Sequence, residues 1–338
     1  MTDHENNYQQ LIAPTDELAR DMSRIEGDIL LLGAGGKMGP ALATLAKKAC
    51  AKAGISKRII AVSRFSDAAV QAELESCGVE TFAADLLDDQ QLESLPPVAN
   101  VLYLAGTKFG TGKNESLTWA MNSYLPGRVA EKYRRSRIVA FSTGNIYHLT
   151  PVHTGGSTED AALNPVGEYA QSCLGRERIF EYCCRKNNTP LLIYRLNYAN
   201  DVSYGVLVDI ATNVMDGKSI DVRTNNVNVI WQGDANEMAI RALLHCSVPP
   251  AILNIAGPET TSVQWIAQEF GKLFGKTPQF VHEPQPTALL SNAAEAFRLF
   301  GYPRVTLKQM ILIIAQWIGG GGKIAYKDTH FQERHGQF

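Results

Sequence analysis

Short apolar runs alternate with segments of helical spacing through the first part of the chain. The first run, residues 28–33, passes from Asp28 through Ile-Leu-Leu-Leu to Gly33. A continuous run of this kind is typical of a parallel strand buried on both faces. Five more strands are predicted over residues 58–62, 80–83, 100–105, 137–142 and 190–195, with helical segments between them. This alternation predicts an α/β fold with a Rossmann-like doubly wound parallel sheet.

The pattern is less regular beyond residue 200. Helices are predicted over residues 209–216, 236–245, 263–274 and 307–318, and one strand over residues 252–256. We therefore expect a Rossmann domain over residues 28–200. Residues 201–318 are expected to form mainly a smaller C-terminal α/β lobe that binds substrate and can return strands to the sheet.

The two ends of the chain lie outside the two predicted domains. Residues 1–27 form a polar N-terminal extension, in which Leu18, Met22 and Ile25 at helical spacing predict one short helix. Residues 319–338 comprise a glycine-rich break followed by a polar tail, to which no structure is assigned.

Composition narrows the class of protein. The 338 residues are 45% hydrophobic and 20% charged, which excludes general disorder. The net charge of −2 gives no reason to expect a nucleic acid or an anionic membrane as partner. The longest nearly apolar stretch, residues 310–318, is too short to span a bilayer, and the polar N-terminus lacks the pattern of a secretory signal. We expect a cytoplasmic protein, and the six cysteines lack metal-binding spacing, so no metal site is predicted.

A glycine-rich turn joins the first strand to the first helix of the predicted sheet. Gly33, Gly36 and Gly39 are spaced three residues apart, and Gly35, Lys37 and Met38 lie among them. Glycines at such a turn allow a tight bend, the approach of a pyrophosphate to the backbone, and close packing of helix on strand. The phosphates would then lie at the helix N-terminus, where free N–H groups favour anions. The turn therefore predicts a dinucleotide-binding site.

The end of the second strand indicates which dinucleotide binds. NAD-binding versions of this turn usually have an acidic residue there, which accepts hydrogen bonds from the ribose 2′-hydroxyl. Here the strand ends in Ser63-Arg64, without a carboxylate. Because an arginine can pair with a 2′-phosphate, NADP is the preferred cofactor and NAD the alternative.

Further landmarks follow at the ends of successive strands. Asp85-Leu86 follows the third strand, Leu104-Ala105-Gly106 the fourth, and Phe-Ser-Thr-Gly-Asn-Ile-Tyr-His (residues 141–148) the fifth. Asn122 lies in the helix before the fifth strand, and Arg-Leu-Asn-Tyr-Ala (residues 195–199) ends the sixth. In their order and spacing, residues 28–318 resemble the extended short-chain dehydrogenase/reductases, the NAD(P)-dependent sugar epimerase/dehydratase family.

The resemblance implies roles for these landmarks. In that family the Asp-Leu pair contacts adenine, the small residues after the fourth strand line the cofactor, and the asparagine supports the site. The cofactor-binding residues that it implies here are Gly33, Gly35, Gly36, Lys37, Met38, Gly39, Ser63, Arg64, Asp85, Leu86, Leu104, Ala105, Gly106, Asn122, Ser142, Tyr169, Leu196 and Asn197. It also implies a sugar or nucleotide-sugar substrate and a possible homodimer.

The catalytic motif of the family is present with one departure. Family members use a Ser or Thr, a Tyr that exchanges a proton with the substrate hydroxyl, and a Lys four residues after the Tyr. That Lys holds the nicotinamide ribose and lowers the pKa of the Tyr. Thr143 and Tyr169 match the first two positions, but position 173 is Cys. A literal Tyr-x-x-x-Lys exists at Tyr182–Lys186, but its spacing from Thr143 places it at the end of a helix, away from the expected cleft.

The missing lysine leaves three interpretations open. The positive nicotinamide ring of an oxidised cofactor can supply part of the charge that favours the Tyr169 phenolate, and Arg176, one turn further along the helix, His148 and His153 are candidates to help. In the first interpretation, Tyr169 acts only as a hydrogen-bond donor while another base, such as a His, moves the proton. The enzyme can be slow, or catalysis can be lost while the cofactor site remains, as in an NADP-binding regulatory or sensor protein. We expect Cys173 to be a small buried thiol that fills the lysine position, with a nucleophilic role as the alternative.

Other positions bear on the substrate and the reaction. Family dehydratases have an Asp-Glu pair directly after the catalytic Thr, but Gly144 and Asn145 stand there, which favours epimerisation or keto reduction. Lys108 and Lys113 follow the fourth strand and are candidates to meet an anionic substrate. Asn197 and Arg223 are further candidates for substrate binding.

Overall fold

The computed structural model describes residues 3–108, 114–325 and 329–337. The helices of these segments are α1 (Asp3–Leu11), α2 (Asp16–Arg24), α3 (Gly39–Lys52), α4 (Ala68–Ser76), α5 (Asp89–Ser94), α6 (Glu115–Trp119), α7 (Leu125–Lys132), α8 (Gly167–Asn187), α9 (Val206–Asp216), α10 (Gln232–Arg241), α11 (Val263–Phe274), α12 (Ala294–Phe300) and α13 (Leu307–Gly319). A π-helical turn, Ala120–Tyr124, joins α6 to α7, and 3-10 turns lie at Gly144–Ile146, Val152–Thr154 and Ala242–His245.

Seven parallel strands form the central sheet. They are β1 (Ile29–Leu32), β2 (Ile59–Ser63), β3 (Glu80–Ala83), β4 (Asn100–Tyr103), β5 (Arg137–Thr143), β6 (Leu191–Leu196) and β7 (Ala251–Ile255). Their spatial order is β7-β6-β5-β4-β1-β2-β3. The central β1 pairs Leu31 with Ala61 on one side and with Leu102 on the other. The order reverses at β1, which confirms the Rossmann-like class predicted from the sequence.

The apolar run of β1 explains why the sheet is covered on both faces. Ile29 and Leu31 pack with α2, α3 and α10 in one core, while Leu30 and Leu32 pack with α5, α7 and α8 in another. Successive side chains of a strand point to opposite faces, so an uninterrupted run supplies both cores at once. The carboxyl ends of the strands are thereby held at one edge of a rigid sheet.

The chain beyond residue 200 contributes to both the sheet and a lobe. Its strand β7 pairs in register with β6, from Ala251–Leu192 to Ile255–Leu196. Helices α9, α11 and α13 form a separate apolar core that includes Ile210, Phe270 and Ile314. Short strand pairs complete the lobe, at Ala199–Asn200 with Ile230–Trp231, Ser219–Asp221 with Gln279–Val281, Asn226–Val227 with Thr261–Ser262, and Thr150–Pro151 with Thr287–Ala288.

The N-terminal extension is an integral part of the fold. Leu18, Met22 and Ile25 are fully buried, and α2 packs against α3 and α10. Tyr8 on α1 contacts the rings of Trp231 and Trp317, at centroid separations of 6.2 and 5.8 Å. The three apolar positions therefore predicted the helix, but its polar remainder concealed how completely the segment is packed.

The C-terminal tail is also ordered onto the molecule, contrary to our expectation of an unassigned polar segment. Phe331 is buried in the lobe core. Arg334 donates hydrogen bonds to the backbone oxygen of Thr287 at 2.8 Å and to its hydroxyl at 2.6 Å. Gly336 lies directly against Gly167, the first residue of α8. The tail thus bridges the lobe and the sheet domain.

We expect Leu18→Ala to lower the free energy of unfolding by about 2–5 kcal/mol, because it opens a cavity between α2, α3 and α10. Urea or thermal unfolding monitored by circular dichroism measures the change. The matched control is Leu312→Ala, whose side chain on α13 is 47% exposed and should change the free energy by less than about 1 kcal/mol. Equal effects of the two substitutions would show that the extension is not part of the cooperative core.

Candidate active site

A cleft of about 630 Å³ opens at the carboxyl edge of the sheet, between the sheet domain and the lobe. Its walls come from the ends of β1, β4, β5 and β6, from the turn before α3, and from α9 and α10 of the lobe. Ligands of open α/β sheets bind where the strand order reverses, and β1 and β4 mark that point here. The volume is in the range of small-molecule sites.

The glycine turn meets the steric demands of a close-packed turn at two positions. Gly33 has a φ of +90°, and a Cβ there would lie 2.6 Å from the backbone nitrogen of Ala105. A Cβ on Gly39 would lie 2.2 Å from the backbone oxygen of Ala34. Both glycines are therefore required by the backbone itself. At Gly36 a Cβ would meet only the Gly33 oxygen, at 3.5 Å, so space remains above the turn.

The N-terminus of α3 faces this space without a competing anion. Its N-cap residue, Met38, makes no side-chain hydrogen bond, and the first turn contains no acidic residue. The first N–H groups of the helix and its dipole are therefore available to an anionic ligand. Turn and helix together fit the pyrophosphate of a dinucleotide.

The predicted cofactor-binding residues fall into two groups. Those that line the cleft are Gly33, Gly36, Lys37, Met38, Gly39, Arg64, Leu104, Gly106, Ser142, Tyr169, Leu196 and Asn197. Those outside the lining are Gly35, Ser63, Asp85, Leu86, Ala105 and Asn122. Of these, Ser63 lies against Gly35, so that a Cβ on the glycine would be 2.4 Å from the Ser63 hydroxyl. Asp85 is turned back onto its own loop, where its carboxylate accepts a hydrogen bond from the Leu87 N–H at 3.0 Å.

Thr143 and Tyr169 meet at the floor of the cleft. Thr143 ends β5 and Tyr169 lies in the first turn of α8, where their two hydroxyl side chains are neighbours. Cys173, one turn further along α8, is fully buried, and Tyr169 packs against it. Burial raises the pKa of Tyr169 well above its ordinary value, and it raises the pKa of Cys173 as well. Both groups are therefore neutral at physiological pH in the free protein.

The alternative bases and the literal motif lie away from this pair. His148 and His153 are exposed and are not among the residues that line the cleft. Tyr182 is 66% exposed on α8, and Lys186 donates a hydrogen bond to the Glu131 carboxylate at 2.7 Å. The geometry thus brings together Thr143 and Tyr169 rather than any of these residues.

Asn122 connects the walls of the site. It lies in the π-helical turn between α6 and α7, an irregularity that often marks functional positions. Its amide donates to the Thr107 backbone oxygen and to the Ser172 hydroxyl, at 2.9 and 3.0 Å. Its side-chain oxygen accepts from the Thr107 N–H at 2.8 Å. The loop after β4 is thereby fixed to α8.

The candidate substrate-binding residues differ in whether they line the cleft. Lys108 lines the cleft, its ammonium donates to the Thr329 backbone oxygen at 3.3 Å, and burial lowers its pKa to about 8. Asn197 also lines the cleft. Arg223 does not, because its guanidinium is half-exposed on the lobe and pairs with Asp221 at 2.6 Å. Lys113 lies outside the described residues.

Several lining residues were not predicted from the sequence. They are Phe141, Asn145, Tyr198, Ala199, Tyr204, Val206, Gln232 and Thr329. The Lys37 ammonium lies 3.0 Å above the ring centre of Tyr204, so this lobe residue closes the cleft over the glycine turn. Thr329 belongs to the tail and is held by the Asp209 carboxylate, which accepts from its hydroxyl at 2.6 Å. No local sequence signal points to either residue, since both reach the cleft only through tertiary packing.

A buried ion pair supports the floor of the cleft. The guanidinium of Arg195 on β6 binds both carboxylate oxygens of Glu177 on α8, at 3.0 and 2.8 Å. The Ser142 hydroxyl donates to the same carboxylate at 2.5 Å. Arg195 also donates to the Tyr147 hydroxyl at 2.6 Å, and Tyr147 donates to the Asn254 side-chain oxygen at 2.8 Å. The network joins α8 to β5, β6 and β7.

Comparisons with known proteins agree with the fold of the chain. A sequence model of the NAD dependent epimerase/dehydratase family matches residues 29–256, which is more than half of the chain. A search of curated protein sequences finds no significant match.

No helix of the described residues is long and apolar enough to cross a membrane.

Solved structures of the same fold include several nucleotide-sugar enzymes. UDP-glucuronic acid 4-epimerase from Bacillus cereus, in complex with NAD, superposes with a TM-score of 0.72 at 18% identity, over 88% of this chain and 100% of that chain. UDP-glucose 4-epimerase from Thermus thermophilus, also with NAD, gives 0.70 at 18% identity, over 87% and 99%. MoeE5 with UDP-glucose and NAD gives 0.69 at 17% identity, over 87% and 99%. At these identities the likeness concerns the fold.

We expect Glu177→Ala to lower the free energy of unfolding by roughly 3–5 kcal/mol, because it leaves the Arg195 guanidinium buried without its carboxylate. The matched control is Glu131→Ala, which breaks the half-exposed pair with Lys186 and should change the free energy by at most about 1 kcal/mol. Chemical denaturation of both variants measures the difference. A loss for Glu177→Ala no larger than that of the control would contradict a supporting role for the pair.

Proposed function

Since the chain belongs to the NAD dependent epimerase/dehydratase family, we propose that it is an NAD(P)-dependent epimerase or reductase that acts on the sugar of a nucleotide-sugar. The observation that carries the proposal is that Thr143 and Tyr169 line the same cleft as the glycine turn, with their side chains next to each other. The three structural neighbours that bind NAD, two of them 4-epimerases and one with UDP-glucose, support this class of ligand.

The cleft divides into parts that suit such ligands. Gly33, Gly36 and Gly39 and the N-terminus of α3 would hold the cofactor pyrophosphate, and Leu104, Gly106 and Leu196 would border its nicotinamide half. Lys108 and Asn197 face the remaining space, where an ammonium and an amide can bind phosphate and sugar hydroxyls. When bound, NAD(P) supplies the acceptor and donor of the hydride.

The chain's own groups would handle the proton. The Tyr169 hydroxyl exchanges a proton with the substrate hydroxyl that is oxidised, and the Thr143 hydroxyl fixes the position of that oxygen. Gly144 and Asn145 follow Thr143 where an acidic pair would be needed to remove and return water. Epimerisation or keto reduction is therefore favoured over dehydration.

NADP is the proposed preference. Arg64 is exposed and lines the cleft beyond Ser63, at the end of β2 where a ribose 2′-phosphate would lie. No carboxylate occupies the strand end, so the 2′-phosphate would meet an arginine without repulsion. We also propose that the protein acts in the cytoplasm and, from the family resemblance, that it can form a homodimer.

A second candidate function is that of an NADP-binding regulatory or sensor protein. It is favoured by the neutral Cys173 at the position of the usual lysine and by the raised pKa of Tyr169. Such a protein would bind the cofactor without turning over a sugar.

The proposed function is tested by titrating the cofactor-stripped protein with NAD and NADP and then assaying UDP-glucose and UDP-glucuronic acid for epimerisation. We expect micromolar cofactor binding, turnover, and a loss of roughly 10²–10⁴-fold for Tyr169→Phe because its proton is removed. Tyr182→Phe is the matched control and should retain full activity. Cofactor binding without turnover of any nucleotide-sugar would favour the sensor, and absence of binding would refute both candidates.

We expect Arg64→Ala to weaken NADP binding by about 1.5–3 kcal/mol, or roughly 10- to 150-fold, because a charge-assisted hydrogen bond to the 2′-phosphate is lost. NAD binding should stay nearly unchanged, and so should both affinities in the surface control Arg298→Ala. Isothermal titration calorimetry with the two cofactors measures the effect. Equal losses for NAD and NADP would rule out recognition of the 2′-phosphate by Arg64.

A further inference from the structure

Arg176 is a buried cation beside the catalytic tyrosine that the sequence motif does not account for. Its side chain lies under the floor of the cleft, and its nearest polar partners are oxygens of neutral groups. The guanidinium donates to the backbone oxygen of Phe141 at 2.8 Å, to the side-chain oxygen of Asn122 at 2.8 Å, and to the backbone oxygen of Asn122 at 3.4 Å.

The described residues place no carboxylate within ion-pair distance of this guanidinium. The neighbouring Glu177 is instead engaged by Arg195 and Ser142. Arginine remains protonated in proteins, and an uncompensated buried charge is strongly unfavourable. A cation kept in this way is expected to serve an anion that forms during function, and the ionisable neighbours on α8 are Tyr169 and Cys173.

The helix geometry relates Arg176 to the missing lysine. Positions 169, 173 and 176 are spaced i, i+4 and i+7, so they share one face of α8. Long side chains on a helix lean toward its N-terminus, which brings the Arg176 guanidinium back along the turn that carries position 173. The small Cys173 leaves room on that face, where a lysine chain would otherwise lie.

Gly106, which has no side chain, leaves further room for the Arg176 guanidinium. A Cβ at position 106 would lie 2.3 Å from the Nη2 atom of Arg176. The guanidinium therefore reaches the wall of the cleft that borders the nicotinamide half of the proposed cofactor site. The ring of Tyr103 lies beneath it, 5.7 Å from the guanidinium carbon.

We propose that Arg176 replaces the lysine of the Tyr-x-x-x-Lys motif, so that the positive charge that activates Tyr169 is supplied from one turn further along the same helix. This inference rests on the proposed function of the site. It assigns to Arg176 the role of a positioning residue that stabilises the Tyr169 phenolate. The charge of Arg176 already opposes the effect of burial on the pKa of Tyr169.

Three other groups face Tyr169. They are Lys108 on the loop after β4, Thr143 on β5, and Cys173 on the same helix α8. Lys108 is the competing cation, with its ammonium 5.8 Å from the ring centre of Tyr169. Its pKa of about 8 leaves it partly neutral at mildly alkaline pH, whereas Arg176 stays charged.

The test measures the ionisation of Tyr169 directly, from the ultraviolet absorbance of tyrosinate as the pH is raised. For each variant, the absorbance of the same variant with Tyr169→Phe added is subtracted. The difference isolates one of 12 tyrosines. With saturating NAD⁺, we expect Arg176→Met to raise the titration midpoint by about 1–3 pH units. Turnover at neutral pH should fall roughly tenfold for each pH unit of that rise.

The decisive variant moves the positive charge from position 176 to position 173. Cys173→Lys combined with Arg176→Met returns the cation to the motif position and should restore both the midpoint and the turnover. Arg176→Lys should keep part of the effect, and Arg178→Met, on the exposed side of α8, should change neither quantity. The double variant also guards against misfolding of Arg176→Met, because a merely structural role of Arg176 would not be rescued by a lysine at position 173.

Each alternative gives a different result. An unchanged midpoint in Arg176→Met, or a wild-type midpoint that stays above the working pH range with NAD⁺ bound, would overturn the proposal. A midpoint that moves in Lys108→Met but not in Arg176→Met would assign the role to Lys108. If no nucleotide-sugar is turned over, the proposed function fails separately, since the tyrosinate titration still reports whether Arg176 acts on Tyr169.

Discussion

The ion pair between Glu177 and Arg195 is the constraint on which the geometry of the cleft depends. Both side chains are almost completely buried, so the desolvated charges are tolerable only with good geometry and further hydrogen bonds. Ser142 and Tyr147 supply those bonds from either side. Because Glu177 belongs to the helix that carries Tyr169, and Ser142 precedes Thr143, the pair fixes the hydroxyls of Tyr169 and Thr143, the proposed catalytic groups, relative to each other.

Helix α8 also bears on the position of the positive charge near Tyr169. This charge need not come from position 173, where the family motif has a lysine. Read alone, Cys173 indicates a loss, since a neutral thiol cannot stabilise a phenolate. Read with Arg176 on the same face and with the space left by Gly106, it indicates a displacement of the cation by one turn. If the charge is lost, Tyr169 stays protonated, whereas if Arg176 supplies the charge, Tyr169 can ionise. The choice between these two interpretations depends on one side chain outside the motif, that of Arg176.

The sequence pattern predicted those parts of the fold that depend on interactions between residues close together in the chain. The apolar run of β1 and the turn from Gly33 to Gly39 are consequences of nearby residues, and the structure has them close to the predicted bounds. Thr329, Tyr204 and the burial of Arg176 depend on segments that are distant in sequence. Arg223 is a different case: Asp221, only two residues before it, pairs with its guanidinium on the lobe, outside the lining of the cleft.

The C-terminal tail extends this argument to the cleft itself. Thr329 contacts Lys108 through its backbone oxygen and Asp209 through its hydroxyl, so the tail links the loop after β4 to α9 across the opening. Each of these contacts is polar, which is why a polar tail sequence gave no indication of packing. The sheet domain supplies a rigid floor, whereas the upper wall depends on hydrogen bonds that water can replace. The selection of substrate is therefore expected to lie in this upper wall, and the chemistry in the floor.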